Sequence, residues 1–438
     1  PLNTYDSANI IMKMNKTLLS AAVAVGLLST STVTQAAGFQ LAEYSATGLG
    51  RAYAGEAAMA DGADAQWRNP AMLTYLEGTQ VSVGAIYVDP NIDIDGTSTT
   101  RQSTTASNSS DFAHSAVIPN FYVSHKYNDK FALGFAAGTN YGMETDLGKD
   151  FGGANHGNEA SVTTMELNLN AAYQVLETVS IGGGVRYIMA EGSFGAVSAA
   201  SIPQIGVSKG DALKYMEGDD TAWGWQVGTA WQINENNRLG FTYKSEVDLT
   251  LTGHANGHGF NFGQPNKKDA GSMDLALPAT AELASFHQLT EKVAVHASIN
   301  WTNWSSFKEL VADFPTESVS IKEENWEDNY RFAIGTTYQM TPKLALRSGI
   351  AYDTSAVSEE HRTATIPETD RTWLSIGAGY QWSEQLTLDA GFTYILAKDA
   401  KMHETDPGFG GADMFGGSFE GEVTGSIWLV GIQANYRF

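Results

Sequence analysis

From residue 79 to the C-terminus the chain alternates apolar and polar positions with a period of two. In its last stretch, IWLVGIQANYRF, Trp428, Val430, Ile432, Ala434, Tyr436 and Phe438 form an apolar set. Leu429, Gly431, Gln433, Asn435 and Arg437 form a set that is mostly small or polar. Such a period sends the two sets to opposite faces of a strand. KLALRSGIAY repeats it, with Leu344, Leu346, Ile350 and Tyr352 opposite Ala345, Arg347, Gly349 and Ala351. WLSIGAGYQW does the same, with Leu374, Ile376, Ala378, Tyr380 and Trp382 opposite Trp373, Ser375, Gly377 and Gly379. In a soluble sandwich the apolar face would be the core. Here the other face is often Gly, Ala, Ser or Arg, which suits a lumen, and aromatics crowd the strand ends, which suits girdles at membrane surfaces.

Fourteen segments carry the pattern: 79–94, 115–127, 130–142, 161–175, 177–191, 221–233, 237–251, 272–288, 291–304, 326–340, 342–355, 370–382, 384–398 and 423–438. Six connections are tight: Asn128-Asp129, around Leu176, Asn234 to Asn236, Leu289-Thr290, Thr341 and Ser383. Seven are long, such as 95–114, 192–220, 252–271 and 399–422, and the two kinds alternate strictly. The prediction is an all-β fold, a 14-stranded antiparallel transmembrane β-barrel over 79–438, with short periplasmic turns and long outer loops. An even number of strands puts both termini on the periplasmic side. A barrel this wide keeps a lumen rather than a filled core.

Residues 37–78 break the pattern. They are rich in Gly and Ala, and they carry Glu43, Arg51, Glu56, Asp61, Asp64, Arg68 and Asn69 as polar partners around WRNPAM, Trp67 to Met72. The expectation is an N-terminal hatch, a plug threaded into the lumen. Upstream, Met12 to Lys16 is basic, Leu18 to Leu28 is apolar, and Thr34 and Ala36 are small. That is a secretory signal, with cleavage expected after Ala36. The apolar run is too short to span a bilayer as a helix. Residues 1–11 read as an upstream extension, with translation expected to start at Met12 or Met14.

Composition narrows the function. A formal charge of −23 suits no nucleic-acid partner, because phosphates need Lys and Arg. The absence of cysteine removes disulfides, thiol catalysis and zinc-thiolate sites. No cofactor and no metal is expected. NIDIDG, Asn91 to Gly96, resembles half of a calcium loop, but its twelfth position is Gln102 instead of Glu. His254 and His258 sit in HANGHG, a loop pair and not a helical one. No Gly-x-Ser-x-Gly elbow and no Gly-x-x-x-x-Gly-Lys occurs, so neither a serine hydrolase nor a nucleotide-driven pump is expected. An open aqueous porin would want a constriction loop and rings of charge, not a hatch before its first strand.

The opening AGFQLAEYSATGLGRAYAGEAAMADGADAQWRNPAML resembles the outer-membrane transporters of long-chain fatty acids and other hydrophobic compounds, the FadL/TodX type. GTNYG (138–142), DNYRFAIGTTY (328–338) and the stretch from Tyr352-Asp353 through Ile366-Pro367 to Trp373 extend the resemblance to Phe438. It implies capture of a hydrophobic substrate by the outer loops and an inner pocket near Phe39. It also implies hatch movement at Asn69, Pro70 and Ala71, and lateral exit where the third strand kinks at Asn140, Tyr141 and Gly142. One departure is that Glu327 stands where the resemblance implies a lysine for the fatty-acid carboxylate, and an arginine implied near EGSFGAVS is missing. Arg186, Arg331 and Arg347 alternate inward and are the substitute candidates; a neutral hydrocarbon substrate is the alternative. The expected partners are the hydrophobic ligand, outer-membrane lipid and lipopolysaccharide. The C-terminal Tyr436 and Phe438 look like the signal read by the barrel-assembly machinery. The expected assembly is a monomer.

Overall fold

The computed structural model describes residues 38–100, 103–405 and 417–438. The expected leader lies outside the described residues. β1 (Thr79–Thr99), β2 (Ala116–Lys126) and β3, in two pieces (Phe131–Gly138 and Gly142–Asp146), begin the wall. β4 (Glu159–Leu176), β5 (Val179–Val197) and β6 (Ala212–Asn234) follow. β7 is broken into Asn237–Lys244 and Val247–Asn256, and β8 into Asp269–Leu277 and Thr280–Gln288. β9 (Val293–Thr302), β10 (Asn329–Gln339), β11 (Leu344–Asp353), β12 (Arg371–Gln381), β13 (Leu386–Thr405) and β14 (Ser418–Arg437) complete it.

Each strand pairs antiparallel with its neighbours in the chain, and β14 pairs with β1 from Gln80–Arg437 to Thr99–Ser418. The sheet therefore closes into a fourteen-stranded barrel. The alternation decides which face is which. Ile376 and Ile432 are 62% and 65% exposed on the outer face, whereas Ser375 and Gln433 beside them are buried. Tyr127, Trp231, Trp382 and Phe438 are exposed near the short turns, and Trp223, Tyr330 and Tyr352 toward the long loops. No helix among the described residues is long and apolar enough to cross a membrane, so the crossing is made by strands.

Two features differ from the expectation. Several strands run further on the long-loop side: β1 to Thr99, β5 to Val197, β6 from Ala212 and β13 to Thr405. Asp95 and Gly96 therefore continue the expected strand through Asn91 to Ile94, and His254 also lies in a strand, where it pairs with Ala270. Beyond the bilayer both faces meet water, and the apolar marker that revealed the strands disappears there. The breaks in β7 and β8 were also unforeseen.

Residues 38–78 fold as short turns inside the ring: α1 (Ala46–Leu49), α2 (Ala65–Arg68), and 3-10 turns at Glu56–Ala58 and Pro70–Tyr75. The Ser45 hydroxyl caps α1, accepting from the Gly48 N–H. Nearly all of the segment is buried. It is bonded to strands all round: Gln66 donates to the Val123 carbonyl of β2, and Thr74 bonds Ser180 of β5. The Gly55 N–H donates to Ser298 of β9, and the Ala46 N–H to Gln433 of β14. Arg68 pairs with Glu282 of β8 at 2.8 Å. Close approach rests on small residues. A Cβ on Gly228 of β6 would strike the Asn69 side chain, and one on Gly377 of β12 would meet the Gly50 backbone.

Candidate functional site

β3 stops at Gly138 and resumes at Gly142. Its first piece pairs with β2 and β4; its second piece has a ladder with β4 and, on the other side, a single bridge from Thr145 to Ala113. The β2–β3 ladder ends at Phe121–Ala137, so Ala116 to Asn120 of β2 have no ladder partner on that side. Pro119, which has no N–H to give, lies in this stretch. The N-terminal tip meets the break from inside. The Leu41 N–H donates to the Asn140 carbonyl at 2.6 Å, the Gly142 N–H donates to the Phe39 carbonyl at 2.8 Å, and Gln40 bridges Tyr141 between them. Three residues of the opening segment thus act as a short strand on the broken edge.

The break is buttressed from behind. Arg186 of β5 makes a bidentate pair with Glu166 of β4, at 2.7 and 3.1 Å, and donates to the Ser245 carbonyl between the pieces of β7. Glu166 also accepts from the Asn140 amide at 2.6 Å. Both Arg186 and Glu166 are fully buried. The guanidinium is thereby occupied in holding the kink. Arg347 is likewise paired, with Asp389 of β13 at 2.6 Å. Arg331 donates to the Ala52 carbonyl and stacks over Trp373, but its Nε has no partner.

Two cavities flank the tip. The upper one, about 870 Å³ of space not filled by protein atoms with the solvent it opens to included, is mostly apolar, with Met143, Phe194, Leu251, Leu275, Phe307 and Phe314 among its lining. Phe39 lies in its floor. The Phe39 ring packs edge-on against Trp304 at 4.7 Å and Tyr141 at 6.1 Å, with Phe307 and Trp326 also around it. Gly38 before it holds φ +64° beneath the Trp304 and Trp326 rings, where a Cβ would collide with both. Glu324 also lines this cavity. One carboxylate oxygen accepts from the Trp326 indole at 2.8 Å and the other has no partner. Burial pushes its carboxyl up to about 7, against the opposing pull of Lys322 and the indole hydrogen bond.

The lower cavity, about 610 Å³, is polar; Gln40, Arg68, Asn140, Lys244, Glu282 and Arg331 are among its lining. Glu327 is exposed and lines neither cavity, so the charge that stands in place of the implied lysine does not face the ligand space. At the other end of the segment, Asn69 is fully buried. Its amide donates to the Ala57 and Thr229 carbonyls, and its oxygen accepts from the Ala71 N–H, capping the turn that Pro70 begins. The structure therefore brings Phe39 together with Asn140, Tyr141 and Gly142. Arg331 lines the lower cavity, and Asn69 to Ala71 lie against β5 and β6. Trp304, Trp326, Glu324 and Lys244 were not foreseen. The tryptophans lie outside the strand period, whereas Lys244 stands on the inward face of GFTYK, where Phe241 and Tyr243 face out.

Among the described residues no His, Asp or Glu cluster could hold a metal ion. The sequence model of the outer membrane protein transport protein family (OMPP1/FadL/TodX) matches residues 27–438. A long-chain fatty acid transport protein of Salmonella typhi is 34% identical over 447 residues, covering 97% of this chain and 99% of the relative. Outer membrane protein P1 of Haemophilus influenzae is 36% identical over 429 residues, covering 90% and 92%. The crystal structure of a Pseudomonas aeruginosa FadL homologue superposes with a TM-score of 0.82 at 23% identity, over 92% of this chain and all of that one.

Proposed function

Because this chain belongs to the outer membrane protein transport protein family (OMPP1/FadL/TodX), we propose that the hydrophobic cargo it carries across the outer membrane is long-chain fatty acid. The chain is an outer-membrane transporter and not an enzyme. One observation carries the finer reading: the N-terminal tip is docked on the broken edge of β3, in the floor of an apolar cavity.

On this reading residues 38–78 are the hatch. The outer loops collect the ligand, and its tail enters the upper cavity, gaining about 0.8 kcal/mol for each buried CH2. Exit needs the tip to leave the break. That motion costs two main-chain hydrogen bonds and the ring contacts of Phe39, a modest set once the arriving tail replaces those contacts. Asn140, Tyr141 and Gly142 then border an opening toward β2, through which the ligand reaches the bilayer without crossing a water-filled lumen. Asn69, Pro70 and Ala71 hold the far end of the hatch and set how readily it shifts. Flow is passive and directed by removal of ligand downstream. The molecule works as a monomer among lipid and lipopolysaccharide, and Tyr436 and Phe438 present its assembly signal.

The test compares binding of hexadecanoate and of hexadecane to the purified barrel with uptake by cells that carry it, with and without Asn69→Ala. The expected outcome is hexadecanoate binding in both proteins and uptake reduced about fivefold in Asn69→Ala, whose cap is worth about 1 kcal/mol. Binding of neither ligand, with ion conductance through the unmodified barrel, would leave a porin instead. Binding of hexadecane alone would move the cargo to neutral hydrocarbons.

A further inference from the structure

The two cavities share one partition. Three chain segments cross it at the same level. Gln40 lines the lower cavity and Phe39 the upper; Asn140 the lower and Met143 the upper; Thr302 the lower and Phe307 the upper. Phe39, Tyr141 and Trp304 form the layer between. Above it the lining is mostly apolar, and below it the lining carries Arg68, Lys244, Glu282, Arg331 and Asp353.

The charges below do not cancel. Arg68 is matched by Glu282, which also accepts from Asn300 and from the Ala57 N–H. Asp353 accepts from the Asn329 amide. Lys244 is left over. It is 7% exposed, no ion pair within 4.0 Å and no hydrogen bond engages its ammonium among the described residues, and the ammonium lies over the face of Trp67 at 5.0 Å. Glu166, on β4 nearby, is taken by Arg186. Arg331, whose buried Nε has no partner, lines the same space. A buried ammonium without a counter-charge is costly to maintain unless an anion completes it.

We propose that the lower cavity is the carboxylate site of the transported ligand, with Lys244 as its charged anchor and the Arg331 Nε as a second donor. One ligand then spans the partition, tail above and head below, once the Phe39 side chain has moved. This rests on the fatty-acid reading and assigns the headgroup contact that Glu327 does not supply. It also gives the hatch a reason to shift: the head reaches Lys244 only by displacing the tip. Lys322, the cation of the upper cavity, is already paired with Glu404.

The test measures calorimetric binding of hexadecanoate and of hexadecanol, which has the same tail and no charge, to the full barrel in detergent. Lys244→Met should weaken hexadecanoate about tenfold or more and change hexadecanol less than about twofold. Lys244→Arg should restore the preference for the acid, and Lys322→Met should leave it intact. Each variant is first checked for the folded barrel's heat-dependent gel migration; Lys244→Gln replaces any that fails. Equal weakening of both ligands, or no weakening, overturns the proposal, as does loss of acid preference in Lys322→Met alone. Acetate should not bind over the same range; acetate binding as tight as hexadecanoate and dependent on Lys244 would make the cavity a small-anion site. If the unmodified protein binds neither long ligand, the fatty-acid reading itself has failed. If it binds both, and Lys244→Met matches it for each, only the headgroup assignment has failed.

Discussion

Glu324 shows how a single side chain sets a condition on the site. It is buried beside an apolar cavity with half its carboxylate unpartnered, and its carboxyl is raised from 4.5 to about 7. The folded protein thus holds this proton to higher pH than the unfolded chain does. The contribution is fully favourable below about 4.5 and is lost as pH rises toward 7. Thermal stability of the purified barrel should therefore fall between pH 5 and 8, and Glu324→Gln should fall less; an identical slope in the variant would refute the assignment. At this scale the sequence was partly readable. Arg186, Arg331 and Arg347 were found to face inward because strand alternation leaves no other choice. The same alternation places Lys244 on the inward face, opposite Phe241 and Tyr243. That Arg186 and Arg347 are bound to Glu166 and Asp389 depends on strands brought side by side, which no local pattern encodes.

At the scale of elements, strands were legible wherever one face meets lipid and the other the lumen, which fixed fourteen of them in order. The outer ends of β1, β5, β6 and β13 were not, since water on both faces erases the contrast. The break in β8 had a visible sign, Pro278 in LALPAT, because a proline interrupts a ladder. The break in β3 was legible only through the family motif around Asn140. The seat of the hatch against β6 depends on an absence, the missing Cβ of Gly228. Gly228→Val should force Asn69 and Pro70 out of place while the ladders of β6 with β5 and β7 keep the barrel closed. The expected result is an ion conductance in planar bilayers well above that of the unmodified protein. A variant that folds and stays as tight to ions would show that the hatch is not seated by this contact.

For the whole molecule, the barrel is a closed wall and residues 38–78 are a short polypeptide held inside it by scattered polar contacts. On the proposed route cargo passes only when the N-terminal tip leaves the broken edge of β3. The pairing there offers a direct test. The Leu41 to Asn140 and Gly142 to Phe39 hydrogen bonds make Gln40 and Tyr141 a non-hydrogen-bonded antiparallel pair. Cα atoms in such a pair lie about 4.5 Å apart, within the span of a disulfide. The chain has no cysteine of its own to interfere. Gln40→Cys with Tyr141→Cys would tether the tip when oxidised and release it when reduced. The measurement is hexadecanoate uptake by cells carrying this variant, before and after a reductant, with the cross-link verified by mass. Uptake should stay at the level of cells without the protein while the bond is intact, and recover on reduction. Uptake by the cross-linked protein at the reduced protein's rate would contradict that route.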